Sequence, residues 1–300
     1  MSKPAKTGAW IAIAVAIATA CFIANKSHAA PFPDAAGERF SVTVTGSGPD
    51  VILIPGLASS AATWDGTVAR LKGHYRLHVL NLAGFAGEPA GANASGDILP
   101  AEVEAIDAYI KANHLKPVIV GHSLGGTLTL MLAKAHPEDA SRIVVVDALP
   151  YIGLLFGPTA TVEMVRPQAA LMKAGIESAS ADAFKAQETA ALARMVTSPA
   201  DRELTLGWVL ASDRHVLAQA MYEDMVTDLR PDLGAIKATT ILMYPTNAAT
   251  GQNPDLTEAF YKTSFSGLAN LTLVRIDNSL HFAMLDQPEA FYAALDGALK

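Results

Sequence analysis

Hydrophobic positions after residue 40 form short runs rich in β-branched residues, separated by stretches in which apolar residues recur every three or four positions. The first run alternates apolar and polar residues, whereas most later runs are continuously apolar, as in strands buried on both faces. Strands are predicted at residues 40–45, 51–54, 76–80, 118–120, 143–146, 239–244 and 271–276, and helices at 63–71, 98–112, 124–135 and from 283 onward. This order predicts an α/β fold whose mostly parallel central sheet carries helices on both faces.

The alternation of strands and helices stops between about residues 149 and 233. This stretch contains five methionines and shows helical patterns without a convincing strand. The interruption predicts a helical cap at residues 150–232, inserted into one domain that covers residues 38–300. Because methionine side chains adapt to irregular apolar shapes, such a cap favours ligands with a small or medium apolar group.

The first thirty residues have a different pattern. Two lysines stand before an apolar run at residues 9–24, and small residues follow it. This order is typical of a secretory signal peptide, predicted at residues 1–29 and followed by a Pro-containing linker at 30–37. The protein is therefore expected to be exported, to the periplasm or the medium. Two alternatives place it at a membrane: an uncleaved N-terminal helix, or a lipid on Cys21.

Composition narrows the classes of function. The chain is 51% hydrophobic, which indicates a sizeable buried core. Its formal net charge of −7, without a basic cluster, argues against binding to nucleic acid. The single cysteine lies in the N-terminal segment, so no disulfide and no cysteine nucleophile is expected in the folded domain. The sequence has no metal-ligand cluster and no nucleotide-binding loop, and we expect neither a metal nor a cofactor.

The clearest chemical signal is the sequence Gly-His-Ser-Leu-Gly at residues 121–125. It matches the G-x-S-x-G pattern, in which a serine is held on a sharp turn between a strand and a helix. Here the pattern follows the apolar strand at 118–120 and opens the helix at 124–135. Glycines permit the tight turn, and the helix N-terminus favours negative charge nearby. Ser123 is therefore the predicted nucleophile.

On these residues the chain resembles the α/β-hydrolase superfamily, from about residue 40 to the C-terminus. The resemblance implies an oxyanion hole formed by two backbone N–H groups. One belongs to Leu124, directly after the serine. The other belongs to Leu57, in the Pro-Gly-Leu turn that follows the strand at 51–54. The loop at 81–87 has lost the charged residues that relatives carry there and is interpreted as structural.

A general base is predicted in the loop that follows the strand at 271–276. His281 lies in this loop, immediately before the last helical pattern, and resembles the catalytic histidine of the family. A neutral imidazole accepts the serine proton near pH 7 and returns it to the leaving group. His122, beside the nucleophile, is interpreted as structural.

The third member of the predicted triad is an acid between residues 123 and 281, because the order in this fold is serine, acid, histidine. Most relatives place it after the strand that follows the cap, but here no acid occurs in that place before Asp255. Some relatives place it one strand earlier, where Asp147 ends the strand at 143–146. Asp147 is the preferred acid, Asp255 the second choice, and Asn247 a neutral substitute.

These residues predict a serine hydrolase that acts by acyl transfer through a Ser-His-Asp triad. A carboxylic ester with a small or medium apolar group is the expected substrate and small-molecule partner. Peptidase and lactonase activities stay open within the same chemistry. A non-catalytic, membrane-tethered binding protein of the same fold is the alternative from another class. The sequence does not predict an oligomeric state.

Overall fold

A computed structural model describes residues 38–300 and contains one seven-stranded sheet in this part of the chain. The strands are β1 (Phe40–Gly46), β2 (Asp50–Ile54), β3 (Arg76–Leu82), β4 (Val118–His122), β5 (Arg142–Val146), β6 (Thr239–Thr246) and β7 (Leu271–Asp277). Their spatial order is β1-β3-β2-β4-β5-β6-β7. The edge strand β1 pairs antiparallel with β3, and all other pairs are parallel. The predicted fold class is therefore confirmed.

Ten α-helices accompany the sheet within residues 38–300. They are α1 (Asp65–Leu71), α2 (Leu99–Ala112), α3 (Leu124–Ala135), α4 (Val162–Ser178), α5 (Ala181–Leu192), α6 (Pro199–Ala211), α7 (Arg214–Val226), α8 (Pro254–Ser264), α9 (Ala283–Asp286) and α10 (Pro288–Ala298). No helix of this described part combines the length and the hydropathy needed to cross a membrane. The predicted signal peptide at 1–29, the linker at 30–37 and Cys21 lie outside the described residues.

Two apolar layers cover the sheet because successive residues of a strand face opposite sides. Ile52 and Ile54 of β2 contribute to the layer beneath α2, α3 and α8. Val51 and Leu53 contribute to the layer beneath α1, α9 and α10. Burial on both faces explains why the central strands are continuously apolar in the sequence. The carboxyl ends of the parallel strands are therefore fixed relative to one another.

The chain between β5 and β6 is helical. It contains α4 to α7 and two short 3₁₀ segments, Ile152–Phe156 and Arg230–Ala235, and is called the helical insertion below. Leu217 and Ala218 of α7 pack on Ala58, in the turn that follows β2. The insertion therefore lies above the strand ends, on the side where the serine turn is found. Its role as a cap that selects substrates stays a prediction.

Two predicted elements differ from the structure. The final helix is divided at Gln287 into α9 and α10, because Pro288 cannot donate the backbone hydrogen bond that a continuous helix requires. Residues 254–264, where no helix is predicted, form α8. Asn253 accepts hydrogen bonds from the N–H groups of Asp255 and Leu256 at its start, and Pro254 occupies its first turn.

A buried carboxyl group lies at the start of α2. Glu102 is 1% exposed, and its Oε1 accepts a hydrogen bond of 2.6 Å from the Asn93 side chain. The oxygen of the Asn93 amide accepts in turn from Arg39, at 2.8 Å. Burial raises the pKa of Glu102 to about 8, against the smaller opposing effects of Asn93 and Arg39. The carboxyl is therefore mostly protonated at neutral pH.

Glu102→Gln is expected to remove a pH dependence of stability. The folded chain keeps a proton that the unfolded chain releases above its ordinary pKa, so the native protein loses stability as pH rises from about 4.5 to about 8. Glutamine cannot ionise, and the variant should exceed the native protein in unfolding free energy by on the order of a few kcal/mol above pH 8. Urea denaturation at pH 5 and pH 9 measures this difference. Glu203→Gln, at an exposed position on α6, is the control; equal pH dependence in all three proteins would contradict the prediction.

Candidate active site

Ser123 occupies the turn between β4 and α3 in a strained backbone conformation. Its φ is +53° and its ψ is −123°, values that cost a non-glycine residue about 1–3 kcal/mol. Its N–H donates to the carbonyl of Val146 at the end of β5, at 3.0 Å. A Cβ at position 121 would lie 2.1 Å from the carbonyl oxygen of Gly125, so this position requires glycine. The turn is therefore held by close backbone approach and by the neighbouring strand.

The turn after β2 lies against the serine. A Cβ at Gly56 would come within 3.0 Å of the Ser123 Cβ and 3.1 Å of the His122 Nδ1, so a larger residue would push the two turns apart. The N–H groups of Leu57 and Leu124 have no acceptor among the residues that the structure describes. Two free backbone donors beside a serine are the groups from which an oxyanion hole is built.

His281 and Asp147 are brought together from distant parts of the sequence. His281 Nδ1 lies 2.6 Å from Asp147 Oδ2. This contact assigns the Nδ1 proton as a donor to the carboxylate and leaves Nε2 free to accept a proton. In the described part of the chain, no hydrogen bond joins the Ser123 hydroxyl to His281. Such contacts are often long before a substrate binds.

Asp147 is fixed by the end of β5 and by a tyrosine. Its φ is +45°, and its N–H donates to the carbonyl of Met243 on β6 at 2.8 Å. The hydroxyl of Tyr261 on α8 donates to Asp147 Oδ1. Burial alone would raise the pKa of Asp147, but the charge and hydrogen bond of His281, together with the Tyr261 hydroxyl, hold it below its usual range. The carboxylate therefore stays ionised with both oxygens engaged.

The other two positions considered for the acid lie elsewhere. Asp255 is exposed in the first turn of α8, and its carboxylate accepts no hydrogen bond in the described part of the chain. Asn247 follows β6, and its side-chain oxygen accepts from the N–H of Ala249 at 3.1 Å. Neither contacts His281 Nδ1, which is occupied by Asp147.

His122 supports the loop that carries His281. It is fully buried, and its Nε2 lies 3.0 Å from the backbone carbonyl of His281. Burial, together with the nearby His281, lowers the pKa of His122 to about 3, so the ring is neutral and its Nε2–H donates to that carbonyl. The ring also packs between those of His281 and Phe282, with centroid separations of 4.6 and 4.8 Å.

Three side chains at the site were not predicted from the sequence. Tyr261 donates to Asp147. Asp286 accepts from the N–H of Leu280 at 2.8 Å and from Thr197 of the helical insertion, which holds the loop before His281. Asp224 of α7 lies close to Thr127 and His281, and burial raises its pKa to about 6. No sequence motif surrounds these residues, so the sequence does not mark them as part of a site. Only the Asn-Pro pair at the start of α8 could have predicted the helix that carries Tyr261.

Tyr261→Phe tests the support of Asp147. Removing a donor to a charged group costs about 1.5–3 kcal/mol, so the variant should unfold at lower urea concentration, and turnover should fall about tenfold as Asp147 loses its fixed position. Tyr244→Phe is a matched control, because the Tyr244 hydroxyl donates to Glu258 at 3.0 Å and makes no bond to Asp147. Equal turnover in the two variants would contradict this role of Tyr261.

A cavity of about 420 Å³ lies beside His281 and Asp147. Its size falls in the range of about 300–1,000 Å³ that is typical of sites for small molecules. Its apolar walls come from Leu155, Leu256, Phe260 and Leu280. None of the five methionines of the helical insertion lines this cavity, and Met164 is 66% exposed. The Met-rich sequence therefore does not describe the walls of this cavity.

Two groups of side chains with metal-ligand chemistry lie between α2 and the residues that follow α3. One contains Glu104, Asp107 and His136, and the other contains Asp107, Glu138 and Asp139. Lys111 Nζ lies 2.6 Å from Asp107 Oδ1, so a cation already compensates the shared carboxylate. These groups form an ion-pair network.

The mostly parallel sheet and the strained serine turn at the end of β4 define the class of α/β-hydrolase folds. The chain belongs to the alpha/beta hydrolase family, whose sequence model matches residues 51–294. Solved structures share the fold. A hydrolase from Pseudomonas aeruginosa PA01 superposes with a TM-score of 0.72 at 19% identity, over 87% of this chain and 94% of that chain. The enol-lactonase from Burkholderia xenovorans LB400 gives 0.71 at 17%, over 90% and 99%.

Curated relatives match a shorter part of the chain. A pimeloyl-[acyl-carrier protein] methyl ester esterase of Aeromonas hydrophila is 34% identical over 111 residues, which are 37% of this chain and 42% of that protein. A protein of the same description from Vibrio vulnificus is 31% identical over 159 residues, 53% of this chain and 57% of that protein. The chain thus spans between about two fifths and three fifths of these relatives.

Proposed function

We propose that the protein is a serine hydrolase that cleaves carboxylic esters by acyl transfer, with Ser123, His281 and Asp147 as its triad. The observation that carries the proposal is the 2.6 Å contact between His281 Nδ1 and Asp147 Oδ2, beside a serine held on a strained turn. A carboxylate that fixes the Nδ1 proton leaves Nε2 as the base for a hydroxyl group. The esterase names of the curated relatives support the same chemistry.

The reaction proceeds in two steps. His281 Nε2 takes the proton of the Ser123 hydroxyl as its oxygen attacks the ester carbonyl, and the N–H groups of Leu57 and Leu124 hold the oxyanion. The imidazolium gives that proton to the departing alkoxide, so an alcohol leaves and the acyl group stays on Ser123. Water then attacks the acyl-enzyme as His281 takes one of its protons, and the imidazolium returns that proton to the Ser123 oxygen as the carboxylic acid leaves.

Asp147 keeps the His281 ring in the tautomer that this cycle needs and stabilises the cation that forms in it. Its low pKa keeps the carboxylate charged throughout. Tyr261 stays protonated as a donor to Asp147, because burial and the Asp147 charge raise its pKa well above the ordinary value. The apolar walls beside His281 favour a small or medium apolar group on the substrate.

A fluorophosphonate probe tests the proposal directly, because it reacts with an activated serine and needs no knowledge of the substrate. We expect one adduct per chain, located by peptide mass spectrometry on the peptide that contains Ser123, and no adduct after heat denaturation. Absence of labelling in the folded protein, together with no hydrolysis of para-nitrophenyl esters, would favour the alternative of a non-catalytic binding protein. Labelling with hydrolysis of amides or lactones, but not of simple esters, would instead support a peptidase or lactonase.

A further inference from the structure

The wall of the cavity beside His281 contains one cation and two amides. They are Arg194, which follows α5 in the helical insertion, and Gln252 and Asn253, which precede α8. The other polar residues of the wall, apart from the site residues Asp147, Tyr261 and His281, are Thr257 and Ser279. His281 and Asp147 also line it, whereas Ser123 does not, so a group bound in this cavity lies beside the histidine and the acid of the proposed triad.

Arg194 is unusual among the ten arginines of the chain. Eight of the others donate hydrogen bonds to a carboxylate, a backbone carbonyl, an amide or a hydroxyl, and Arg275 forms an ion pair with Asp277. Within residues 38–300, the Arg194 guanidinium has no such partner. Its five N–H donors are therefore available to a ligand in the cavity.

The two amides present donors as well. The side-chain oxygen of Gln252 accepts from the N–H of Asn247 at 2.8 Å. The oxygen of Asn253 accepts from the N–H of Asp255 at 2.9 Å. Because both oxygens are used, the NH₂ groups are the ends that stay free for a ligand.

No negative charge in the lining compensates Arg194. Asp147 is the single acidic residue of the cavity wall, and its two oxygens are taken by His281 and Tyr261. The cavity therefore combines apolar walls with an unpaired cation and two amide donors. An arginine matches a carboxylate in shape and charge, since its planar fork donates two parallel hydrogen bonds and its single charge is neutralised.

We propose that the substrate is an ester that also carries a carboxylate, which is bound by Arg194 with help from Gln252 and Asn253. This inference rests on the proposed function and names the substrate class of the same site. Arg194 is a specificity residue in this assignment: it binds a remote part of the substrate and takes no part in the bond changes at Ser123.

Two pairs of esters test the proposal. One pair places the carboxylate on the acyl group, and the other places it on the alcohol group. The mono(para-nitrophenyl) ester of adipic acid is compared with the same ester whose free acid is an amide, and para-carboxyphenyl butyrate with para-carbamoylphenyl butyrate. In at least one pair we expect kcat/KM of the native protein to be about tenfold or more higher for the carboxylate. In Arg194→Met this ratio should fall by about ten- to hundredfold, the usual effect of losing hydrogen bonds to a charged group.

Arg194→Lys, which keeps the charge but not the planar fork, should give an intermediate ratio. Lys185→Met is the matched control, since it removes one exposed positive charge from α5 outside the cavity and should leave both rates unchanged. A ratio near one in both pairs for the native protein, or a ratio that Arg194→Met leaves unchanged, would overturn the proposal. A general disturbance of folding would lower both rates together and leave the ratio as it was.

Failure of the proposed function gives a different result. If no ester is hydrolysed and Ser123 is not labelled, the carboxylate site is tested by calorimetric titration with adipate. Binding to the native protein that weakens at least tenfold in Arg194→Met, but not in Lys185→Met, supports the carboxylate site independently of catalysis. Equal or absent binding in the native protein and Arg194→Met rejects it.

Discussion

Replacing Ser123 with alanine should lower ester turnover by about a millionfold, to the level that binding and the backbone donors sustain alone. The reason is that no other group at the turn can form the covalent acyl intermediate: His122 is buried and neutral, and Leu57 and Leu124 contribute only N–H groups. The measurement is the initial rate on para-nitrophenyl butyrate, with active-site titration of the native protein. Stability should change little or increase, because alanine replaces a polar residue in a strained position.

Ser264→Ala controls for the loss of a serine hydroxyl in a buried place. Ser264 lies on α8, is 8% exposed, and donates to the Phe260 carbonyl within its own helix. Its replacement should leave turnover within a factor of about two, because the bond is local. Retention of more than a hundredth of the native rate in Ser123→Ala would show that another nucleophile, or a water molecule, carries the reaction.

Asp147→Asn should lower turnover by about 10⁴, the second largest effect. An asparagine at this position presents either an oxygen without charge or an NH₂ group to His281 Nδ1. The NH₂ group would force the ring proton onto Nε2, the nitrogen that must accept the serine proton. The fold should persist, since the N–H of residue 147 still donates to Met243 and the Tyr261 hydroxyl keeps an acceptor.

Two variants at positions that follow β6 in the chain serve as controls for Asp147→Asn. Asp255→Asn changes an exposed carboxylate at the start of α8 and should be close to neutral in turnover. Asn247→Ala removes a local acceptor for Ala249 and should affect stability more than chemistry. The reverse ranking, with Asp255→Asn harmful and Asp147→Asn mild, would move the acid to the start of α8. Circular dichroism on each variant separates loss of chemistry from loss of fold.

The sheet was predictable because its strands obey one physical rule. Strands covered on both faces must be apolar throughout, so their positions, and hence the strand ends that carry Ser123 and Asp147, are visible in the sequence. The pairing of β4 with β5, which brings these two ends together, follows from the short parallel connection through α3. The sequence could therefore predict the candidate catalytic residues that lie at strand ends.

Side chains on the surrounding helices were not predictable in the same way. Tyr261, Asp224 and Arg194 approach the site from α8, α7 and the turn after α5, and no local pattern indicates which face of a helix meets the strand ends. The methionines of the helical insertion show the same point. Met164, Met172 and Met195 are exposed, because composition does not specify the orientation of a side chain.

With Asp147 at the end of β5 as the proposed acid, the segment between β6 and α8 takes no part in proton transfer. Most members of the superfamily carry the acid there and so cannot alter that segment without risking the triad. Here residues 247–253 supply part of the cavity wall and both of its free amide donors, Gln252 and Asn253. Under the proposed function, insertions and substitutions in this segment should change which ester is accepted while the reaction itself is kept, which makes it the natural region for laboratory evolution of selectivity.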